Sequence, residues 1–143
     1  RRPEHSRSGS RLVIALDTSV VVRYLAGVPA DQALRARAFV DGAEQLGLSA
    51  LVLLEAGYAL RTSYGVRRAR VIEVLLEFVT LSNVVTLDLP KDAVVEALAR
   101  ARESESGPFG DALIAAVARE AGAEAVASFD QVFKRHGLPV IEP

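Results

Sequence analysis

The sequence predicts a single α/β domain: a three-layer α/β/α sandwich in which helices cover both faces of a four- or five-stranded, mainly parallel sheet. Short apolar runs rich in β-branched residues alternate along the chain with longer stretches whose apolar residues recur at helical spacing. The length of 143 residues is near the usual size of one domain. Because no repeat or linker interrupts the alternation, parallel strands joined by helices are the favoured arrangement.

The first predicted element is a buried strand. The run LVIAL is too short for a helix and ends at Asp17, so we expect a strand buried on both faces. A short helix, TSVVVRYLAG, follows and ends at Gly27, and a second helix is predicted from Asp31 to about Leu46. Residues 47 and 48 leave room for a very short second strand.

The middle of the chain continues with helices. Ser49 is expected to cap the helix ALVLLEAGYALRTSY, which is apolar almost all round and is therefore predicted to be buried. Gly65 ends it, and apolar spacing predicts another helix over residues 66–79. NVVTLDL is the next predicted strand, and a helix, KDAVVEALARARES, follows Pro90.

The last third repeats the alternation. GPFGDALIAAVAREAG is predicted to be a helix that ends at Gly122, EAVASFD a strand, QVFKRHG a helical turn and LPVIEP a last short strand. Residues 1–10 are polar and basic without periodicity, and we interpret them as a tail or tag remnant. The predicted domain is therefore residues 11–143.

The composition excludes several kinds of site. The chain has no cysteine and only two histidines, so a disulfide framework and a thiolate or His-rich metal site are excluded, and a metal would need oxygen ligands. The sequence lacks both a membrane-length apolar run and the apolar core of a signal peptide, so we expect a cytoplasmic protein without a membrane partner. With a net charge of -1, binding to nucleic acid would need a local basic patch.

Four carboxylates lie within or at the end of apolar stretches: Asp17, Glu55, Asp111 and Asp130. Moving an ionised carboxylate out of water is costly, so such groups need a partner or a cation. The carboxyl ends of parallel strands meet at one edge of a sheet, which brings Asp17 and Asp130 together. Carboxylate oxygens select Mg²⁺ or Mn²⁺ over Zn²⁺, and such a metal activates water and polarises a phosphodiester. The residues therefore predict metal-dependent phosphodiester hydrolysis.

Each carboxylate also has a purely structural explanation. Asp17 and Asp130 precede helical segments, where Asp is a favoured N-cap. Asp111 lies in a first helical turn and is compatible with the helix dipole, although it shares a face with Ile114 of the apolar stripe expected to pack on the sheet. Glu55 lies beyond any capping position, and its alternative is a buried ion pair with an arginine.

These motifs also resemble a known family. ALDTSVVVRYL, the glutamate of SALVLLEAGYAL, the helix GDALIAAVAREAG and ASFDQVF resemble, in order and spacing, the PIN-domain ribonucleases, and most closely the VapC toxins of bacterial type II toxin–antitoxin systems. The resemblance covers residues 12–142. It implies a PIN-like fold, a Mg²⁺- or Mn²⁺-dependent endoribonuclease acting on RNA, a homodimer, and a cognate VapB-like antitoxin that holds it inactive.

The resemblance also implies roles for individual residues. Asp17, Glu55, Asp111 and Asp130 match the acidic quartet that binds the metal and carries catalysis. Three hydroxyls match positions that support the metal or its waters: Thr18, Ser19 and Ser128, the last of which stands where many members have threonine. The segment RTSYGVRRAR has four arginines that either contact RNA phosphates or form a solvated helix start: Arg61, Arg67, Arg68 and Arg70.

Two other functions remain open at this point. In the first, the PIN-like fold is a non-catalytic module for binding or dimerisation, and the acids only cap helices. In the second, the chain is a different Mg²⁺-dependent phosphoesterase, such as a haloacid-dehalogenase-type phosphatase. Phosphatases of that class carry the motif DxDxT, and in this sequence Ser19 stands at the position of the second carboxylate of that motif. The sequence also lacks both GxGxxG and GxxxxGK, which argues against a nucleotide-binding phosphate loop.

Overall fold

Helices and parallel strands alternate through the chain, as the sequence predicts. The structure is a computed structural model, and it describes residues 12–104 and 107–143. The proposed tail, residues 1–10, lies outside the described residues. The helices are α1 (Thr18–Ala26), α2 (Ala30–Gly42), α3 (Ala50–Thr62), α4 (Arg68–Val79), α5 (Lys91–Glu103), α6 (Gly110–Glu120) and a 3₁₀ helix (Gln131–His136). The strands are β1 (Ile14–Ala15), β2 (Leu46–Leu48), β3 (Val84–Thr86), β4 (Val126–Ala127) and β5 (Val140–Ile141).

All strand pairs of the described chain are parallel, but they form two ladders. One sheet has the order β1-β2-β3, and β4 pairs with β5 in a second, two-stranded sheet. Helices connect each of the first four strands to the next, which is what a parallel pairing requires. The α/β class is thus confirmed, while the expected sheet of four or five strands is divided into sheets of three and two.

The strands are shorter than the apolar runs that predict them, and β1 differs in burial. All three residues of β2 are buried, because β1 and β3 flank it. The expectation that β1 is buried on both faces is wrong, because Val13 and Ile14 are exposed. Since β1 is an edge strand of its sheet, it pairs only with β2. Apolar content predicted the strand but not its place at an edge.

The core also has two parts. The large cluster packs the helices on the three-stranded sheet and includes the fully buried Phe78, Leu48 and Leu53. The small cluster consists of Ala115, Phe133 and Leu138, so α6 packs against the 3₁₀ helix. Helix α6 therefore lies between the two parts, and the polypeptide around its N-terminus contacts α3. In the part of the chain that the structure describes, every helix is too short or too polar to cross a membrane.

Candidate active site

Asp17 lies two residues after the end of β1 and is the N-cap of α1. Its carboxylate accepts hydrogen bonds from the backbone N–H of Ser19 at 3.4 Å and from Ser19 Oγ at 2.7 Å. The hydroxyl and backbone donors of Ser19, in that order, lower the pKa of the exposed Asp17 carboxyl. The capping explanation of Asp17 is therefore correct, and the group is held ionised at the start of a helix.

Glu55 lies on an exposed face of α3, so the prediction that this helix is buried all round is wrong. Leu51 and Tyr58 flank Glu55 on this face and are 64% and 69% exposed. The alternative of a buried ion pair is also wrong, because no described arginine lies within salt-bridge distance of Glu55. Instead, Glu55 Oε2 accepts a hydrogen bond of 2.6 Å from Thr18 Oγ1. This bond places Glu55 beside the N-terminus of α1, next to Asp17.

The start of α6 packs on α3 at either side of Glu55. A Cβ added to Gly110 would lie 2.6 Å from Leu54 Cδ1, and one added to Gly57 would lie 2.5 Å from Phe109 Cε1. Only glycine permits such close approach. Because Leu54 precedes Glu55 and Gly110 precedes Asp111, the two helices bring these acids to the same region.

Asp111 is half-buried in the first turn of α6. Burial raises the pKa of its carboxyl, the negative charge of Asp130 raises it further, and His136 opposes both effects. Ile114, expected to pack with Asp111 against the sheet, is instead 47% exposed. Asp111 is thus the carboxylate to which the predicted cost of burial applies, and the negative charge of Asp130 adds to that cost.

Asp130 caps the 3₁₀ helix. Its Oδ1 accepts from the backbone N–H of Val132 at 3.0 Å, and its own N–H donates to Ser128 Oγ at 2.9 Å. The capping explanation is therefore correct for Asp130 as well. The hydroxyl of Ser128 fixes the backbone at Asp130, and through it the direction from which the exposed carboxylate leaves the chain.

We expect Asp111→Asn to stabilise the protein at pH 7. The pKa of this carboxyl is higher in the folded state than in the unfolded state, so the folded state binds more protons. Stability is therefore lost as the pH rises from the unfolded-state pKa of about 3.9 through the folded-state pKa. Asparagine removes that penalty. Thermal melts without divalent metal should give a higher Tm for the variant at pH 7 and a smaller difference near pH 4. The exposed Asp41→Asn serves as control, and an equal difference at both pH values would contradict the assignment.

His136 is a neighbour of Asp111 that the sequence did not identify. Its side chain is 4% exposed, and Nδ1 has no hydrogen-bond partner among the described residues. Burial lowers the pKa of His136, against the opposing charge of Asp111, so the imidazole is neutral at pH 7. The sequence signal for the burial of His136 was its position three residues after Phe133, which places both side chains on the buried face of the 3₁₀ helix.

Asp88 is a further carboxylate that the sequence reading missed. It follows β3, and its two oxygens accept from the backbone N–H of Ala50 at 3.1 and 3.0 Å. Ser49 Oγ, as predicted, accepts from Val52 N at 3.1 Å. Asp88 and Ser49 together satisfy two of the free N–H groups at the start of α3, those of Ala50 and Val52, and fix the helix that carries Glu55. Its position after a strand was the available signal.

The oxygen donors have the right chemistry for a hard divalent cation, but they are not clustered as one ligand set. In residues 12–104 and 107–143, no three His, Cys, Asp or Glu side chains lie close enough to hold a metal ion. Two contacts nevertheless connect the regions of these acids: Thr18 donates a hydrogen bond to Glu55, and Leu54, the residue before Glu55, packs on Gly110, the residue before Asp111. Asp17, Glu55 and Asp130 are exposed, and exposed side chains exchange rotamers readily.

The arginines near the site are not equivalent. Arg68 Nε donates to Gly107 O at 2.7 Å and Nη2 to Ala101 O at 2.8 Å, so this side chain ties α4 to the end of α5. Arg70 pairs with Glu73 at 2.9 Å. Arg61 and Arg67 are exposed, and neither has a carboxylate within salt-bridge distance in the described chain. Of the four, these two remain the better candidates for contacts with phosphate.

Comparisons with known proteins identify the fold. The family model described as PIN domain matches residues 14–138, which is most of the chain and includes all four acids. A comparison with curated proteins finds no match. PIN domains are in general metal-dependent nucleases, and they typically bind divalent metals. The extent of the match, together with the parallel α/β architecture, shows that this chain belongs to the PIN domain family.

Proposed function

We propose that this protein is a Mg²⁺- or Mn²⁺-dependent endoribonuclease that hydrolyses RNA phosphodiester bonds. The observation that carries the proposal is the hydrogen bond from Thr18 to Glu55, which joins the region of Asp17 to α3, together with the packing of Leu54 on Gly110, the residue before Asp111. A site that only capped helices would not require Glu55, which caps nothing. In a non-catalytic PIN-like module this exposed glutamate would serve only as the acceptor of the hydrogen bond from Thr18.

Three grooves around these acids carry positive charge, which suits a polyanionic substrate. A groove of about 780 Å³ is lined by Arg61 and Arg68 and reaches Gly110, beside Asp111. A groove of about 470 Å³ includes Asp130 together with Lys134 and Arg135. A third groove, next to Asp17, also has two arginines. Acidic side chains at the centre with cations around them favour phosphodiester binding over binding of a neutral ligand.

The largest of these grooves supports the proposed RNA contacts. Arg61 and Arg68 both line it, and the guanidinium group of Arg68 donates to the carbonyl oxygens of Gly107 and Ala101. Arg61 has no carboxylate within salt-bridge distance among the described residues. Its guanidinium group, without a counter-ion, is a favourable partner for phosphate oxygens. Tyr58 on the same wall offers an aromatic surface that is 69% exposed.

The four carboxylates of the quartet would hold the metal, and hydroxyl groups would orient two of them. When bound, the cation would supply an activated water and stabilise charge on the phosphate. Thr18 directs Glu55, and Ser19 directs Asp17 and keeps it ionised. The pKa of Asp111 is raised by burial, and a positive charge brought near this carboxyl would favour its ionised form.

Cleavage of single-stranded RNA by the purified protein tests the proposal. We expect internal cuts in Mg²⁺ or Mn²⁺, seen on denaturing gels, and none when the metal is chelated. Cleavage that persists in chelator would point to a metal-independent enzyme, and its absence with every divalent metal would favour the non-catalytic module. Hydrolysis of small phosphomonoesters without RNA cleavage would favour another phosphoesterase.

We expect Arg61→Ala to raise KM for RNA about 3- to 10-fold with little change in kcat, because it removes a phosphate contact without touching the acids. Arg70→Ala is the matched control, since it removes the same charge from a side chain already paired with Glu73. Steady-state kinetics at two salt concentrations measures both. Equal effects of the two substitutions would indicate a general charge effect rather than a contact in this groove.

The resemblance to VapC toxins supports a finer proposal: the protein is the toxin of a toxin–antitoxin pair, acts as a homodimer, and is held inactive by a VapB-like antitoxin. Induced expression should then arrest bacterial growth, and Glu55→Gln should relieve the arrest. Light scattering would give the mass of a dimer. Growth unaffected by an expressed, RNA-cleaving protein would contradict the toxin role while leaving the nuclease intact.

A further inference from the structure

A groove of about 440 Å³ lies between α1 and α2, beside the start of α1. Four of its lining side chains are able to recognise a ligand: Arg23, Gln32, Arg35 and Phe39. The three from α2 are spaced by three and four residues, so they share one face of that helix. The volume is within the range of sites for small organic molecules, roughly 300 to 1,000 Å³.

This groove adjoins the proposed active site through Ser19. Ser19 lines the groove, and its hydroxyl donates to Asp17 Oδ2 at 2.7 Å. A ligand in the groove therefore lies next to the acid at the start of α1. A polynucleotide whose scissile phosphate was at the acids would extend naturally into it.

The groove is positively charged, and the described residues that line it include no acid. Arg23 and Arg35 both face it, and neither has a carboxylate within salt-bridge distance in residues 12–104 and 107–143. Arg23 Nε instead donates to Gln32 Oε1 at 2.9 Å. Two guanidinium groups without counter-ions favour an anionic ligand.

The hydrogen bond from Arg23 also fixes the amide of Gln32. A guanidinium group only donates, so the amide oxygen must face Arg23. The amide nitrogen keeps two N–H donors, for which no described residue supplies an acceptor. An amide held in one orientation with free donors is suited to reading the acceptor atoms on the edge of a nucleobase.

Phe39 adds an aromatic surface. It lines the groove and is 43% exposed, although an apolar ring of this size is normally buried. Nucleobases stack on such rings, and stacking requires a base that is not held in a duplex. A peptide or a metabolite would not need an aromatic ring for stacking, an amide that binds the edge of a base and two guanidinium groups that bind phosphate, all beside a nuclease site.

We propose that this groove is a nucleotide subsite, which binds one unpaired nucleotide of the RNA next to the scissile phosphate and selects its base. Phe39 stacks on the base, Gln32 reads its edge, and Arg35 contacts the phosphate. Arg23 is a positioning residue that orients Gln32. The inference rests on the proposed ribonuclease function for its substrate, and it adds a source of sequence preference to that function.

Cleavage of a set of single-stranded RNA oligonucleotides, identical except for the base beside the cut, tests the subsite. We expect Gln32→Ala to reduce the preference in kcat/KM among the four bases to within about twofold while cleavage continues. Phe39→Ala should raise KM about tenfold, as the loss of one stacked base requires. Arg35→Ala should raise KM about fivefold and lower the salt dependence of binding by roughly 0.7 in slope, the value for one phosphate on a single strand.

Arg37→Ala is the matched control, because Arg37 is on the same helix and has the same charge but stacks on Tyr24 at 5.7 Å instead of lining the groove. It should leave base preference, KM and salt slope within about twofold of the parent. Unchanged base preference in Gln32→Ala, or equal losses in Arg35→Ala and Arg37→Ala, would overturn the subsite even if the protein cleaves RNA.

Binding without chemistry separates this proposal from the nuclease itself. Fluorescence anisotropy of a labelled single-stranded RNA in chelator needs no cleavage. Weaker binding by Arg35→Ala and Phe39→Ala, but not by Arg37→Ala, would support the subsite even if no metal yields activity. Equal binding of a duplex and a single strand would overturn it, because a paired base is not free to stack on Phe39.

Discussion

Replacement of Glu55 by glutamine is expected to lower kcat/KM for RNA by at least about a hundredfold and to leave the melting temperature unchanged. Substitutions that touch only the outer partners of metal ligands already cost roughly 10- to 100-fold, so loss of a ligand charge should cost no less. Glutamine retains an oxygen that accepts the hydrogen bond from Thr18, and the side chain is exposed, so the free energy of unfolding should not change. Metal-dependent cleavage and thermal melts measure the two effects.

Glu77→Gln is the matched control for Glu55→Gln. Glu77 is an exposed glutamate on a neighbouring helix, α4, and its side chain makes no hydrogen bond or ion pair with described residues. It should change neither activity nor stability. Activity within a few-fold of the parent in Glu55→Gln would remove Glu55 from the ligand set. A fall in both activity and Tm would instead make its contact with Thr18 a structural one.

Most helix boundaries were predictable because the signals that set them are local. Ser49 caps α3 as expected, and Gly27, Gly122 and Gly137 end helical segments with positive φ values of 72°, 77° and 79°. A cap or a left-handed glycine depends on a few adjacent residues, all of which the sequence displays. The end of α2 shows the limit: it was expected near Leu46, but the helix ends at Gly42.

Burial was less predictable because it depends on distant partners. β1 comes from the five-residue apolar run LVIAL and β2 is only Leu46–Leu48, yet β2 is enclosed by two strands while Ile14 of β1 is 48% exposed at the sheet edge. Nothing in either run says which strand will be central. The division into two sheets is a property of the same kind, since it depends on which strands pair.

Glu55 shows that the environment of a side chain is hard to predict from the sequence. An apolar helix suggested a buried carboxylate, and the cost of burying charge then suggested a cation. Glu55 is exposed together with Leu51 and Tyr58, so among the four acids the cost of burying a charge applies only to the half-buried Asp111. What links Glu55 to the other acids is its hydrogen bond to Thr18, which sequence spacing alone could not specify. Motif order makes Glu55 a candidate, and tertiary packing supplies its neighbours.

Replacement of Gly57 by alanine is expected to destabilise the protein by about 1 to 2 kcal/mol. Alanine in place of glycine inside a helix contributes up to about 1 kcal/mol of stability, but overpacking a core costs about 1 to 3 kcal/mol. The second effect should win here, because the new Cβ would lie 2.5 Å from Phe109 Cε1 and the ring of Phe109 is only 5% exposed. For a chain of this length the Tm should fall by roughly 3 to 8 °C.

The same substitution is expected to lower RNA cleavage about tenfold or more, although it touches none of the four acids. Phe109 is joined to Asp111 through Gly110, so a ring displaced by the new methyl group moves the start of α6 relative to Glu55 on α3. Misplacement of a catalytic group by about 1 Å can cost a hundredfold in rate. Cleavage assays well below the Tm of the variant separate this effect from unfolding.

Gly42→Ala is the control, since Gly42 is also helical and a Cβ added there meets no atom within 4 Å. It should leave activity unchanged and raise stability slightly, through the conformational effect alone. Adding Phe109→Leu to Gly57→Ala should recover part of the lost stability and activity, because a smaller side chain leaves room for the methyl group. If Gly57→Ala proves as stable and as active as Gly42→Ala, the close packing of Phe109 on α3 does not determine how the two helices hold Glu55 and Asp111.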